Sequence, residues 1–297
     1  MKKLIILTVL FFPMLTLVLD VDAGASGAIS KDQLESRKGG FYVGNSTIPF
    51  TGVTTDFYPN GQMSSEAHYV NGRPSGYWTE WYENGQKSVE MYYGKGLQIL
   101  LQTSWYRNGQ KKTEQNYVDS SRQNLLLIGW YENGEKKLEQ NYVNNLKHGV
   151  QTGWHENGQK KSEEYYVNGR ASGLWTQWHQ NGEKRFEANF VDGQPDGLMT
   201  SWYENGQKES EKNDVNQLGH GLWTQWHENG SKASEVYVVN GLLYGLQTEW
   251  HDTGNKSAEG SYVNGKRHGL WTRWDPDGNK TLRCYEEGKL VHPLGPC

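Results

Sequence analysis

Four histidines, His155, His179, His227 and His251, stand in one repeated setting, each directly after a tryptophan and three residues before a glycine or its turn equivalent. Neutral imidazoles repeated in this way are the residue type that holds zinc. Nine glutamates, Glu66, Glu90, Glu114, Glu139, Glu163, Glu187, Glu211, Glu235 and Glu259, recur with similar regularity, and paired carboxyls are the tools of glycoside hydrolysis. Both chemistries require convergence. Nitrogens that share a zinc lie within ~4 Å of one another, given Zn–N bonds of about 2 Å, and a glycosidase pair sits about 5 to 9.5 Å apart across one sugar. Repeat-equivalent residues in an antiparallel sheet are two strands, about 9 to 10 Å, apart. The histidines are therefore expected to fill an aromatic slot that Tyr203 fills equally well. The glutamates should each meet a lysine or a backbone donor on the adjacent strand and keep one face soluble. Turns such as Asn71-Gly72-Arg73-Pro74-Ser75-Gly76 lack the following helix and the Gly-Lys-Ser/Thr ending of a phosphate loop. No serine stands in a nucleophile elbow, and Cys284 has only the distant His292 as a partner. No catalytic residue, metal ligand or cofactor site is expected.

The elements that position these residues follow from an internal period. Trp81-Tyr82-Glu83-Asn84-Gly85 starts a pattern that returns at Trp105, Trp130, Trp154, Trp178, Trp202, Trp226 and Trp250, with a looser echo at Trp274 and a precursor at Phe57. Each step is 24 residues except that from 105 to 130, which is 25. A period of this size marks a repeat array. In the unit from 173 to 196, Gly173 to His179 is strand-like, Gln180-Asn181-Gly182-Glu183 is a turn whose Asn-Gly supplies positive φ, and Lys184 to Val191 is a second strand closed by Asp192-Gly193. No interval between breakers is long enough for a helix. The expected fold is all-β: an extended single-layer antiparallel meander of about ten 24-residue hairpins. Glutamate stands five residues after the turn glycine and an aromatic, such as Tyr166 or Phe190, stands eight after it, so the two point to opposite faces. The aromatic side is expected to be the buried or ligand-facing one. A two-residue loop would pair Trp178 with Arg185, whereas a three-residue loop with a glycine bulge would pair it with Lys184; the sequence leaves this register open.

The pattern G-x-W-T-x-W-[YH]-x-N-G-x-K-x-x-E-x-x-Y-x-x-G, led in by Pro49-Phe50-Thr51-Gly52, resembles the MORN-repeat variant family over about residues 48 to 290. That resemblance implies a sheet of hairpins used for binding. MORN repeats more broadly are associated with membranes and protein scaffolding. Bacterial members often carry the label of a toxin–antitoxin system antitoxin.

Residues 1 to 25 read as a signal peptide: Met1-Lys2-Lys3 is basic, Leu4 to Leu19 is largely apolar, and Ala23-Gly24-Ala25 is a small-x-small site. Export to the periplasm or the extracellular space is expected, with an uncleaved membrane anchor as the alternative. An exported chain is separated from any cytosolic toxin. Residues 26 to 47 read as linker and cap, with a short helix, and 291 to 297 as a tail. Cys284 and Cys297 could close one loop or remain thiols. A net charge of -4 with interspersed signs argues against a nucleic-acid partner and gives no polybasic membrane patch, although peripheral membrane association stays open.

The irregular stretches Ile99-Leu100-Leu101 and Leu125-Leu126-Leu127 interrupt a chain otherwise short of aliphatics, either as a local core or as a protein-docking patch. Trp175, Trp223 and Trp271 add a second aromatic to their units and could stack on sugars or pack on a partner chain. These nine residues are the candidate partner-binding positions. The expected partner is a protein or an envelope polymer, and the expected role is a non-enzymatic binding or scaffold module, with an antitoxin-like component or an envelope polysaccharide- or membrane-associated binder as alternatives.

Overall fold

A computed structural model describes residues 27–94, 98–117, 123–215 and 218–292. The signal-peptide segment, Cys297 and the inserted residue near 122 lie outside the described residues. The chain forms one long antiparallel sheet that runs strand by strand from Gly52–Phe57 to Lys289–His292. Each strand pairs with its sequence neighbours. No ladder joins the last strand to the first among the described residues, so the sheet is an open meander. Its only rings are local, where one strand pairs with both pieces of an interrupted neighbour, as Lys160–Val167 does with Arg170–Ala171 and Gly173–Trp178. The meander of hairpins agrees with the 24-residue period. Before it, the expected short helix is a 3-10 turn, Lys31–Gln33, and the cap is a two-stranded hairpin of Leu34–Arg37 and Gly40–Val43.

The register is the one with a three-residue loop. Trp178 pairs with Lys184, Gln177 with Phe186 and Thr176 with Glu187, so that Arg185 is the extra residue. His179 accepts the Gly182 N–H at 3.0 Å and donates to the Glu183 carbonyl at 2.8 Å. Gly182 has φ +91, while Asn181 is not left-handed. This is a type I turn closed by a glycine bulge. The positive φ expected of both Asn and Gly belongs instead to the opposite edge, where Asn168-Gly169 (φ 49 and 80) and Asp192-Gly193 (φ 50 and 88) form two-residue turns.

Asparagine at the bulged turn has another purpose. The Asn181 carboxamide oxygen accepts the Glu183 N–H at 2.9 Å, and its Nδ2 donates to the Glu204 carbonyl of the next turn at 2.6 Å. The same pair of bonds recurs at Asn84, Asn108, Asn133, Asn157, Asn205 and Asn229. On the other edge the turn glycine N–H reaches the preceding unit, as Gly193 does to the Ala171 carbonyl at 2.8 Å. Both margins of the sheet are thus tied unit to unit.

The register defines two faces. Leu174, Thr176, Glu187 and Asn189 share one, the threonine face, while Trp175, Ala188 and Phe190 share the other, the aromatic face. The opposition of glutamate and aromatic is as expected, but burial is not confined to the aromatic side. Thr79, Thr103, Thr176, Thr200, Thr224 and Thr248 are all buried, beside Ala67, Ala188, Val236 and Ala258 on the aromatic face. A single layer has no second sheet to cover it, so small residues on both faces are buried beneath their own large neighbours. The ion pairs also differ from expectation. Lys184 Nζ lies 2.6 Å from Glu187, its partner on the same strand, and 5.6 Å from the ring centre of Trp202 in the next unit. The bulge swings the lysine over the neighbouring tryptophan, and the carboxylate three residues on is the anion within reach. At roughly half exposure such pairs contribute about 0 to 1 kcal/mol each.

Replacing Asn205 by alanine removes both the Gln207 N–H and Glu228 carbonyl bonds, and should cost about 1 to 2 kcal/mol in urea unfolding. Asn205→Asp keeps the first bond and loses the second. Wild-type stability in the aspartate variant would refute a contribution from the tie between units.

Candidate binding surfaces

The repeated histidine slot is built by the bulged turn, which aims the side chain along the sheet margin. His155, His179, His227 and His251 each place Nε2 against the carbonyl of the next unit's tryptophan, at 3.0, 2.8, 2.9 and 3.1 Å. Because a carbonyl only accepts, Nε2 carries the proton in these contacts. Tyr58, Tyr82, Tyr106, Tyr131 and Tyr203 make the same bond through their hydroxyls, at 2.6 to 2.9 Å. Tyrosine and histidine interchange because both present a ring and a donor at one reach. Among the described residues no three His, Cys, Asp or Glu side chains are grouped to hold a metal ion.

The six aliphatic candidates do not form one patch. Leu101 and Leu126 flank Asn116 on the threonine face. Leu125 and Leu127 pair with Tyr117 and Gln115 on the aromatic face, and Ile99 pairs with Tyr93 there. Leu100 is the bulged residue between them, leaning over Gly94, and is 36% exposed. Trp175, Trp223 and Trp271 share the aromatic face and serve its packing. Trp175 lies between Tyr166 and Phe190, with ring centres at 5.1 and 4.4 Å, and donates Nε1 to the Tyr165 carbonyl. Trp271 is only 4% exposed, pressed over Gly260 under the Arg267 guanidinium at 4.4 Å. Trp223 packs against Gly219, its indole N–H buried without a hydrogen-bond partner among the described residues.

Leu101 and Leu126 belong to a row that the sequence reading missed. The position two before each threonine holds Tyr77, Leu101, Leu126 (here before Ile128), Val150, Leu174, Leu198, Leu222, Leu246 and Leu270, apolar in every one of these units. In the regular units these side chains are exposed, Leu174 by 57% and Leu246 by 56%. They alternate across the sheet with Tyr92, Asn116, Asn141, Tyr165, Asn189, Asn213 and Tyr237. The signal was present in the sequence as an apolar residue at the same place in every period, after the opening glycine in all of these units except those of Leu101 and Leu126. It is easily passed over because it stands beside the more conspicuous tryptophans.

Replacing Tyr203 by phenylalanine removes its bond to the Trp226 carbonyl and should lower stability by about 1 kcal/mol. Tyr203→His should restore most of that loss in the same denaturation experiment. Equal loss in both variants would show that the shared donor is not what the slot selects.

The model of the MORN repeat variant matches residues 50–71, 74–95, 100–119, 147–168, 171–192, 195–213 and 219–240. A search of curated proteins finds no significant match. Among solved structures, one described as the crystal structure of TcdB2-TccC3-Cdc42 aligns at 9% identity over 83% of this chain and 16% of that one, with a TM-score of 0.20. The chain thus spans about a sixth of that structure, and such a likeness supports no inference of function. The seven family matches together cover half of the sequence, and they coincide with the hairpins that the ladders define: the chain belongs to the MORN repeat variant family.

Proposed function

We propose that this protein is a non-enzymatic binding module that docks a partner protein of the cell envelope along its threonine face. The observation that carries this reading is the apolar row from Tyr77 to Leu270, one side chain per hairpin, exposed in the regular units and half-buried at Leu101 and Leu126, and facing tyrosines and asparagines on most of the intervening strands. An isolated exposed leucine is ordinary, but an apolar side chain repeated at one position of every hairpin, with polar groups between, is suited to an extended contact. The regular hairpins are held by their turns, their tryptophan–lysine contacts and their buried threonines, so folding does not require leucine at these exposed positions. Burial of one such side chain in an interface is worth roughly 1.5 to 3 kcal/mol, and several in line give an extended contact. The absence of a convergent polar pocket along nine equivalent glutamates supports binding over catalysis. An envelope partner is the reading that export, expected from residues 1 to 25, would support; an antitoxin role would instead require a cytosolic complex.

The test is capture from envelope extract with three purified forms: wild type, Leu198→Ser/Leu222→Ser and Leu101→Ser/Leu126→Ser. Because Leu198 and Leu222 are about half exposed, circular dichroism and urea midpoints of the first variant should stay near wild type, within about 0.5 kcal/mol. A protein retained by wild type should be lost from both variants. Unchanged retention would remove the row as the docking surface, and recovery of the chain from cytosol bound to a protein that arrests growth would move the assignment to the antitoxin reading.

A further inference from the structure

On the opposite face, independently of the apolar row, four consecutive units carry a second pattern. The residue after each ion-paired lysine, the extra residue of the bulge, is Lys112, Lys137, Lys161 and Arg185 in turn, whereas the flanking units have Ser88 on one side and Glu209, Ala233 and Ser257 on the other. The preceding lysines, Lys111, Lys136, Lys160 and Lys184, are each matched by a glutamate. The four bulge cations are exposed and enter no ion pair among the described residues. Lys112 and Lys137 lie over the rings of Tyr106 and Tyr131, at 5.6 and 5.4 Å.

The surface beside this row is lowered, and its lining mixes polar side chains with the rings of Trp154 and Trp178. Lys137, Lys161 and Arg185 line one depression together with Gly153. Gly129 and Gly153 stand where other units have Ser104, Gln177, Ser201 or Gln225; Gly153 removes a side chain from the floor of the depression, while Leu138 fills the space over Gly129. One row further in, the positions that hold tryptophan in other units hold Leu127 and Gln151 in this stretch, and the cross-strand positions beside them hold Gln115 and Gln140. Tyr117 and Tyr142 donate their hydroxyls to the carboxamide oxygens of Gln115 and Gln140, at 2.6 and 2.9 Å. Glu164, the carboxylate that lines the depression, accepts the Tyr166 hydroxyl at 3.1 Å. Cations at a fixed interval beside polar side chains and rings suit a hydroxylated, negatively charged chain better than an apolar one.

We propose that this central strip of the aromatic face binds an acidic polysaccharide carrying one anionic group per disaccharide, with Lys112, Lys137, Lys161 and Arg185 each meeting one such group. The interval selects the ligand. Equivalent residues in adjacent units are two strands, about 9.4 to 9.8 Å, apart, a length that two linked pyranose rings span. A DNA strand, by contrast, advances about 3.4 Å per phosphate along the duplex axis, so most of its charges would face no cation here.

The probes are hyaluronan oligosaccharides, which carry one glucuronate per disaccharide, with neutral cello-oligosaccharides and phosphatidylglycerol vesicles as the other arms. The full exported chain should bind an octasaccharide at low ionic strength and a tetrasaccharide about tenfold more weakly, because four cations are engaged in place of two. Binding should fade as salt is raised. Lys137→Ala/Lys161→Ala should weaken the octasaccharide about tenfold, and Glu209→Lys, which extends the row by one unit, should tighten a decasaccharide. All three substitutions are at exposed positions, and unchanged circular dichroism will show that the fold is kept. Equal binding of the neutral oligosaccharides, no dependence on length, indifference to the alanine pair, or binding of vesicles alone would each overturn the proposal. The Leu198→Ser/Leu222→Ser protein should bind the octasaccharide like wild type, so that failure on this face is distinct from failure on the other.

Discussion

Everything in this sheet depends on one backbone constraint, the left-handed glycine that closes each bulged turn. From Gly61 to Gly254 these glycines have φ between 81 and 91, a region that side-chain-bearing residues enter only at a cost. The bulge they permit makes the loop three residues long and puts Trp178 opposite Lys184. A two-residue loop would shift the ladder by one, and because side chains alternate with a period of two, threonine and glutamate would exchange faces with their neighbours. The separation of an apolar row from a cationic row, and hence both proposed binding surfaces, follows from that choice repeated in nine successive hairpins; the last, with Trp274 opposite Lys280, pairs without the extra residue.

Stability in such an array is local by construction. A hairpin that touches only its neighbours gains nothing from a distant core, so each added unit must contribute through its own interfaces. Here the interfaces are many and individually small: a ladder, a tyrosine or histidine donor to the next tryptophan carbonyl, an asparagine tie at one margin and a glycine N–H at the other. With surface hydrogen bonds worth about 1 kcal/mol each, no single one dominates. The 24-residue period preserves all of them together, and a change at one position leaves the rest to hold the unit. This tolerance leaves the outward-facing positions free to vary in chemistry from unit to unit, as the bulge position does between Ser88 and Ser257.

Much of the fold was legible because periodicity reports it directly: the meander, the strand limits at Lys184 and Val191, and the opposed faces of Glu187 and Phe190 all follow from spacing. The register did not, since Asn181-Gly182 is compatible with two loop lengths and only the hydrogen bonds from His179 distinguish them. The partner of each glutamate was misplaced for the same reason, because the bulge determines where Lys184 points. The leucine cluster was conspicuous by composition, but composition carries no information about faces. Leu101 and Leu126 lie on one side of the sheet while Leu125 and Leu127 lie on the other. Once parity is known, the two former residues stop being an irregularity and become members of a row that spans the array.

The tryptophans illustrate why an exposed aromatic in sequence need not be a binding group. In a single layer without a second sheet, the only apolar matter available to bury small residues is the large side chains beside them, so Trp175 covers Ala188 and Trp271 covers Gly260. Their area is used in making the face. Where that covering is absent, between Gln102 and Gln151, two glutamines and a leucine replace the tryptophans, the floor drops at Gly153, and cations without an ion pair among the described residues appear beside it. The loss of aromatic packing in the middle of the array is consistent with a sheet that has exchanged part of its own cover for a surface on which an external chain can lie.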